Sequence, residues 1–297
     1  MDYVKGPGLA DGIVAGGTYK LGLTPGKLVI RGMLAGAYLA IATSMSVTVA
    51  VETGYWIAGA LLFPIGLALA VLLGTEVITG SFALVPCAAL AKRERGAIGR
   101  VLANFCWVFL GNLLGSMLYA AMFTISITMA GDVAVPAVGA KLIAIADAKT
   151  TYYQAHGSAG VITVVTKAIL CNWMVSLAVV AAFASTSFTG KMAAIWGPTV
   201  LFFSQGFEHT VVNMFIIPVG ILLGADIPVS TWWMWNQIPV TLGNLFGGMV
   251  FTGLALYLTH RGHTATPTEA HPTADTKAVT THAHSAATAL HPYAATL

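Results

Sequence analysis

Apolar residues along this chain form six long segments, separated by short polar or glycine-rich stretches. They run at about 30–52, 57–90, 101–130, 161–187, 192–223 and 234–260. Each is long enough to span a membrane, because a helix crosses the hydrocarbon of a bilayer in about 20 residues. The second and fifth segments are much longer than one crossing needs, and each carries a glutamate near its middle, Glu76 and Glu208. Because a continuous helix would bury each carboxylate in lipid, we expect both helices to break near mid-membrane.

A motif that occurs twice indicates that the chain contains two copies of one unit. Gly74-Thr75-Glu76 precedes Gly111-Asn-Leu-Leu-Gly115, and Gly206-Phe207-Glu208 precedes Gly243-Asn-Leu-Phe-Gly247, with the same offset between every pair of matching positions. Each copy holds three crossings, an odd number, so the second copy must enter the membrane from the opposite side. The pattern predicts an all-α integral membrane protein of six transmembrane helices, arranged as a 3+3 inverted repeat with broken second and fifth helices. The small residues four apart in the second motif favour close helix packing.

Composition and charge agree with a membrane protein that has both termini on one side. Hydrophobic residues make up 57% of the chain and charged residues 8%, too few charges to cover a soluble globule. Most lysines and arginines lie at alternate ends of the apolar segments, which places those ends and both termini in the cytoplasm under the positive-inside rule. We therefore expect a multi-pass protein of the cytoplasmic (inner) membrane that binds no nucleic acid. The spacing of the three cysteines predicts no disulfide and no metal site, and no cofactor is indicated.

These observations divide the chain into three parts. Residues 1–29 are predicted to form a cytoplasmic N-terminal segment without a cleavable signal peptide. Residues 30–260 form the transmembrane channel domain, with repeat one at 30–130, an outward loop at 131–160 and repeat two at 161–260. Residues 261–297 are rich in Ala, Thr, Pro and His and are predicted to be a disordered cytoplasmic tail.

Three ionisable residues within the crossings are the candidates for chemistry. His209 lies within a predicted crossing beside Glu208, and the unperturbed pKa of a histidine side chain is near neutrality. An ionisable group inside a membrane is costly enough that a role in a permeation path is the default hypothesis. Glu76 and Glu208 are predicted to hold their helix breaks by accepting hydrogen bonds from freed backbone N–H groups. A membrane-embedded enzyme is disfavoured, because Glu208-His209 lacks the HExxH spacing of a zinc hydrolase and no Ser/His/Asp set is visible.

Several motifs resemble those of the formate/nitrite transporter family. They are Gly74-Thr-Glu-Val-Ile-Thr-Gly80, Leu170-Cys-Asn-Trp-Met-Val175, Gly206-Phe-Glu-His-Thr-Val-Val-Asn-Met214, Pro239-Val-Thr-Leu-Gly-Asn-Leu-Phe-Gly-Gly248 and Pro25-Gly-Lys-Leu28. The resemblance covers about residues 20–260. It implies an aquaporin-like protomer of six helices, assembled as a homopentamer, in which each protomer has its own pore for small monovalent anions such as formate, nitrite, acetate, lactate or hydrosulfide.

The resemblance also implies roles for individual residues. The central histidine of the family corresponds to His209 and its hydrogen-bonding threonine to Thr79, and Lys149 corresponds to the vestibule lysine, expected to gather anions as an exposed ammonium. Polar pore or support positions correspond to Asn172, Asn213 and Asn244. Apolar constrictions correspond to Phe63, Leu67, Val77, Val175 and Phe202.

The predicted function is transport of a small monovalent anion, nitrite or formate, assisted by His209 through protonation or hydrogen bonding. A bare anion crosses a dry ring of Phe and Leu at high cost, whereas its conjugate acid does not. Ala148-Lys-Thr-Thr151 and Leu170-Cys-Asn-Trp173 look most like the nitrite branch. The alternatives are an anion channel without protonation, for example for hydrosulfide, acetate or lactate, and a neutral-solute aquaporin-like channel, against which the absence of paired Asn-Pro-Ala motifs argues.

Overall fold

The computed structural model describes residues 3–93 and 95–261. Within them the fold is helical. The helices are α1 (Gly6–Leu21), α2 (Pro25–Thr53), α3 (Trp56–Leu62), α4 (Pro64–Leu72), α5 (Ile78–Lys92), α6 (Ala97–Thr128), α7 (Ala137–Lys149), α8 (Thr151–Ala155), α9 (Gly157–Ala181), α10 (Phe188–Ser204), α11 (Thr210–Leu222) and α12 (Val229–His260). Short 3₁₀ turns follow α6 and α9, and α12 contains two π-helical stretches, Trp233–Gln237 and Gly247–Leu254.

Four of the described helical segments are long and apolar enough to cross a membrane: Pro25–Thr53, Ala97–Gly131, Gly157–Ala184 and Val229–His260. The shorter apolar segments Trp56–Leu72, Ile78–Lys92 and Thr210–Leu222 lie between them in the chain. Such segments satisfy their backbone hydrogen bonds internally, which the hydrocarbon core of a bilayer requires.

The spacing between Glu76 and Glu208 also separates the first residues of matching helices. The pairs of first residues are Pro25 and Gly157 for α2 and α9, Trp56 and Phe188 for α3 and α10, Ile78 and Thr210 for α5 and α11, and Ala97 and Val229 for α6 and α12. The correspondence therefore extends well beyond the two motifs in which it is visible in the sequence.

A non-helical segment interrupts each half at the glutamate. In the first half, α4 ends at Leu72 and α5 begins at Ile78, and Gly74 between them has a φ of +64°. In the second half, α10 ends at Ser204 and α11 begins at Thr210, and Gly206 has the same φ of +64°. Glycine suits both positions because the left-handed region carries no steric cost without a Cβ atom.

Glycines of the second motif allow helices to approach closely. A Cβ atom on Gly115 of α6 would lie 1.9 Å from the carbonyl oxygen of Met33 on α2. At the matching position of α12, a Cβ on Gly247 would lie 2.2 Å from the carbonyl oxygen of Ile169 on α9. The interpretation of this motif as a packing element agrees with these contacts.

The segments predicted to lie outside the membrane contain helices of their own. The predicted N-terminal segment 1–29 contains α1 and the start of α2, and the predicted loop 131–160 contains α7 and α8. Helix α1 packs against α5 through Ile13 and Leu84, which are both buried. Beyond Arg261, the predicted tail 261–297 lies outside the described residues.

Candidate functional site

Two cavities lie next to the two helix breaks. The first, called here the Lys149 cavity, has a volume of about 330 Å³. The second, the Lys20 cavity, has a volume of about 190 Å³. Residues at matching positions of the two repeats line them, including Glu208 in the first and Glu76 in the second. Corresponding residues of the two repeats therefore line two separate cavities, one beside each helix break.

His209 and Thr79 meet in the protein interior, and neither lines one of these two cavities. His209 is the residue before α11, and Thr79 is the second residue of α5. The His209 Nε2 atom lies 3.2 Å from the Thr79 Oγ1 atom, and both side chains are buried. The breaks thus place two polar side chains, one from each repeat, in direct contact.

The hydrogen bonds of His209 define which ring nitrogen carries the proton. Its Nδ1 atom accepts from the backbone N–H groups of Val211 and Val212, at 3.2 Å each, and so caps the first turn of α11. A nitrogen that accepts these bonds holds a lone pair, so the proton of the neutral ring is on Nε2. Nε2–H therefore donates to the Thr79 hydroxyl, which keeps its own proton to donate elsewhere.

The residues implied as constrictions are all buried, but they occupy different places. Phe202 lines the Lys149 cavity and its ring stacks on His209, with the ring centroids 5.6 Å apart. Phe63 meets the edge of Phe202 at 5.6 Å. Leu67 and Val77 line the Lys20 cavity, whereas Val175 is buried in the core without lining either cavity. Phe202 therefore contacts both His209 and the Lys149 cavity, and Leu67 and Val77 give the Lys20 cavity part of its apolar lining.

Glu208 is at the centre of a saturated hydrogen-bond network. Its Oε2 atom accepts from Lys149 Nζ at 2.9 Å, Asn213 Nδ2 at 2.8 Å and Asn236 Nδ2 at 3.2 Å. Its Oε1 atom accepts from the Tyr153 hydroxyl at 2.8 Å. These donors compensate for the loss of hydration of a carboxylate that is 1% exposed.

Lys149 differs from the exposed ammonium that the sequence predicted. It lines the Lys149 cavity, but it is only 9% exposed and its ammonium pairs with Glu208. Burial removes the hydration of the Glu208 carboxylate, and the nearby ammonium of Lys149 compensates for part of that loss. The expectation of an exposed Lys149 ammonium is therefore wrong.

Glu76 has a similar partner in the other repeat. It is 2% exposed and forms an ion pair with Lys20, the penultimate residue of α1. The expected hydrogen bonds from freed backbone N–H groups to Glu76 and Glu208 are thus replaced by lysine ion pairs, and this part of the sequence interpretation is corrected. The physical reason is that a formal positive charge offsets the burial of a carboxylate better than neutral donors do.

Two asparagines hold the breaks instead. Asn112 accepts from the backbone N–H of Ile78 at 2.9 Å and donates to the backbone oxygen of Glu76 at 2.7 Å. Asn244, its counterpart, accepts from the N–H of Thr210 at 2.9 Å and donates to the backbone oxygen of Glu208 at 2.9 Å. Each amide thus satisfies backbone groups that the helix break frees.

The other predicted polar residues support this framework. Asn172 donates to the backbone oxygens of Thr79 at 3.2 Å and Asn244 at 2.6 Å, so it connects the two repeats. Asn213 donates to Glu208 and to Asn236 Oδ1 at 2.9 Å. Within residues 3–93 and 95–261, no group of three or more His, Cys, Asp or Glu side chains is arranged to hold a metal ion.

Comparison with known proteins now identifies the family. A family model described as "Formate/nitrite transporter" matches residues 8–258. The chain belongs to the formate/nitrite transporter family. The resemblance inferred from the motifs is thereby confirmed, and with it a multi-pass membrane protein whose relatives are named as transporters and channels.

Several similar proteins have descriptions that name formate. One, a "Probable formate transporter" of Methanothermobacter thermautotrophicus, is 35% identical over 253 residues, which is 79% of this chain and 89% of the relative. A solved structure described as an "FNT family ion channel" has a TM-score of 0.73 and 25% identity, covering 84% of this chain and 98% of that one. A "Pentameric formate channel with formate bound" has a TM-score of 0.65 and 27% identity, covering 80% and 97%. None of these three descriptions singles out nitrite.

Proposed function

We propose that this transporter carries a small monovalent anion, formate or nitrite, through a pore in each protomer. The observation that carries the proposal is the contact of His209 Nε2 with Thr79 Oγ1, between two cavities that each contain a Lys–Glu pair. The names of the relatives favour formate over nitrite as the first substrate to test.

The two half-helices favour an anion at this position. Helix α5 begins at Ile78 and α11 at Thr210, so both helix N-termini lie beside the contact of Thr79 and His209. The N-terminus of a helix carries a partial positive charge. The Thr79 hydroxyl, which keeps its proton, and the Nε2–H, which can exchange its bond to Thr79 for one to the anion, add two hydrogen-bond donors. Together these groups replace part of the hydration that an anion loses among Phe202, Leu67 and Val77.

The same geometry favours a hydrogen-bonding histidine over a proton donor. An imidazolium would need a proton on Nδ1, where two backbone N–H groups already donate. It would also place a cation at the positive end of α11. His209 therefore stays neutral and donates through Nε2, while charged formate moves without receiving a proton from it.

The proposal includes the membrane arrangement. The helices would form six crossings as an aquaporin-like 3+3 inverted repeat, with breaks in the second and fifth crossings at Glu76 and Glu208. Both termini would be cytoplasmic, in the cytoplasmic membrane. A homopentamer would cover part of the apolar face of α6, which exposes Leu110, Leu114, Met117, Leu118 and Met122, in line with the pentameric description of one similar structure.

Flux measurements in proteoliposomes test this function. Vesicles containing the purified protein should take up labelled formate, and nitrite in a parallel assay, faster than empty vesicles. Stopped-flow light scattering should show water permeability equal to that of empty vesicles. Water permeation without anion uptake would instead support the neutral-solute channel and overturn the proposal.

A further inference from the structure

Lys167 is a charged residue of α9, a helix that is long and apolar enough to cross a membrane. It lies ten residues after the first residue of α9, Gly157, which is about 15 Å along the helix axis at 1.5 Å per residue. A charged group within such a helix is stable when it faces a water-filled cavity or a partner. Lys167 lines the Lys149 cavity, and its Nζ atom lies 5.9 Å from the centroid of the Tyr153 ring.

The charges around the Lys149 cavity do not cancel. Its charged lining residues are Lys141, Lys149, Lys167 and Glu208. Lys149 pairs with Glu208 and contributes little net field. In the described part of the chain, no carboxylate lies within ion-pair distance of Lys141 or Lys167. The cavity therefore retains two positive charges, one of them at the exposed Lys141 and the other at the half-buried Lys167.

We propose that Lys167, held against the Tyr153 ring, collects the anion at the mouth of the pore. This inference rests on the proposed function and assigns to Lys167 the role that the family resemblance implied for Lys149. The unpaired ammonium of Lys167 attracts a small monovalent anion into the cavity before the anion moves past Phe202 towards His209. Lys141 adds a weaker attraction, because solvent screens an exposed charge more strongly.

Tyr153 is the positioning residue in this arrangement. Its hydroxyl donates to Glu208 at 2.8 Å, which fixes the ring, and the face of the ring attracts the Lys167 ammonium. Tyr153 thus contacts both the Lys149–Glu208 ion pair and the unpaired ammonium of Lys167.

Formate uptake at several ionic strengths tests the inference with Lys167→Gln. At about 10 mM salt, the KM for formate should rise about threefold, the effect of one charge at about 6 Å in water. In about 1 M salt, where the Debye length is about 3 Å, the variant and the wild type should have equal KM values. Lys27→Gln is the matched control, because it removes the same charge from an exposed site outside both cavities, and its KM should equal that of the wild type.

Additional variants separate collection from folding. Lys167→Arg keeps the charge and should keep the wild-type KM. Tyr153→Leu removes the ring but leaves the charge, so it should raise the KM less than Lys167→Gln does. Tyr153→Phe keeps the ring but loses its bond to Glu208, and should have the smallest effect. Equal KM values for Lys167→Gln and the wild type at low salt, in vesicles that carry formate, would overturn the role of Lys167 and leave the proposed function intact. Absence of anion uptake by the wild type would overturn the proposed function itself.

Discussion

Replacement of Asn244 by leucine should destabilise the protein strongly. The Asn244 side chain is fully buried and bonds three backbone groups: the N–H of Thr210 at 2.9 Å and the oxygens of Ala168 at 2.7 Å and Glu208 at 2.9 Å. Leucine has a similar size but leaves all three groups unpaired. Each unpaired buried group costs about 1–3 kcal/mol. The expected loss is therefore at least about 3 kcal/mol, which corresponds to a decrease of about 5 °C in Tm for a chain of this size.

The assay is the temperature at which the protein in detergent loses its oligomeric peak in size-exclusion chromatography. Asn112→Leu should have a similar effect, because Asn112 also bonds three backbone groups, those of Ile78, Gly32 and Glu76. Thr163→Val is the control, since it removes an exposed hydroxyl that bonds only within its own helix. A wild-type Tm for Asn244→Leu would refute the claim that this amide holds the break.

Two more predictions concern the polar centre and the buried ion pair. Thr79→Val keeps the shape of the side chain but removes the hydroxyl, so formate flux should fall about tenfold or more while the oligomer stays intact; unchanged flux would exclude Thr79 from the path. Lys149→Met leaves the Glu208 carboxylate buried without its cation and should lower the Tm by several degrees, whereas the double variant Lys149→Met with Glu208→Gln should recover most of that loss. Equal Tm values for the single and double variants would show that the unpaired Glu208 carboxylate is not the cause of the loss.

The signal that predicts a helix break at each glutamate is local. A glutamate that follows a glycine within an apolar segment too long for one crossing identifies both places. The recurrence of that signal in the second repeat then identified His209 as the ionisable side chain next to one break. The structure places these residues at the two interruptions and brings His209 to Thr79, 130 residues away in the chain.

Partners of the glutamates could not be predicted in the same way. Lys20 lies 56 residues before Glu76, and Tyr153 lies 55 residues before Glu208, so their contacts depend on how α1, α7 and α8 fold back onto the breaks. Helix α1 itself is rich in glycine, which disfavours helix in isolation, and tertiary packing stabilises it. A signal for Asn112 and Asn244 was present, because both asparagines recur in the duplicated motif. The glycines of that motif favoured its interpretation as a helix-packing element, and the hydrogen bonds of the asparagines at the breaks were not predicted.

For His209, the structure bears most on the protonation state of the imidazole ring. The sequence allowed both proton transfer and hydrogen bonding. The two backbone N–H groups that donate to Nδ1 favour the neutral ring, and only a structure reveals them. A hydrogen-bonding histidine makes transport of formate a movement of charge, whereas proton transfer would make it electrically silent.

Formate transport by His209 variants tests this central claim most directly. Proteoliposomes with an imposed formate gradient would report current on a solid-supported membrane and internal pH with a trapped dye. Glutamine can place an amide donor near the position of Nε2 but carries no transferable proton, and phenylalanine has no donor. The account predicts formate current without internal acidification for the wild type and for His209→Gln, at a reduced rate in the variant, and none for His209→Phe. Electrically silent uptake with acidification in the wild type, abolished in His209→Gln, would contradict it.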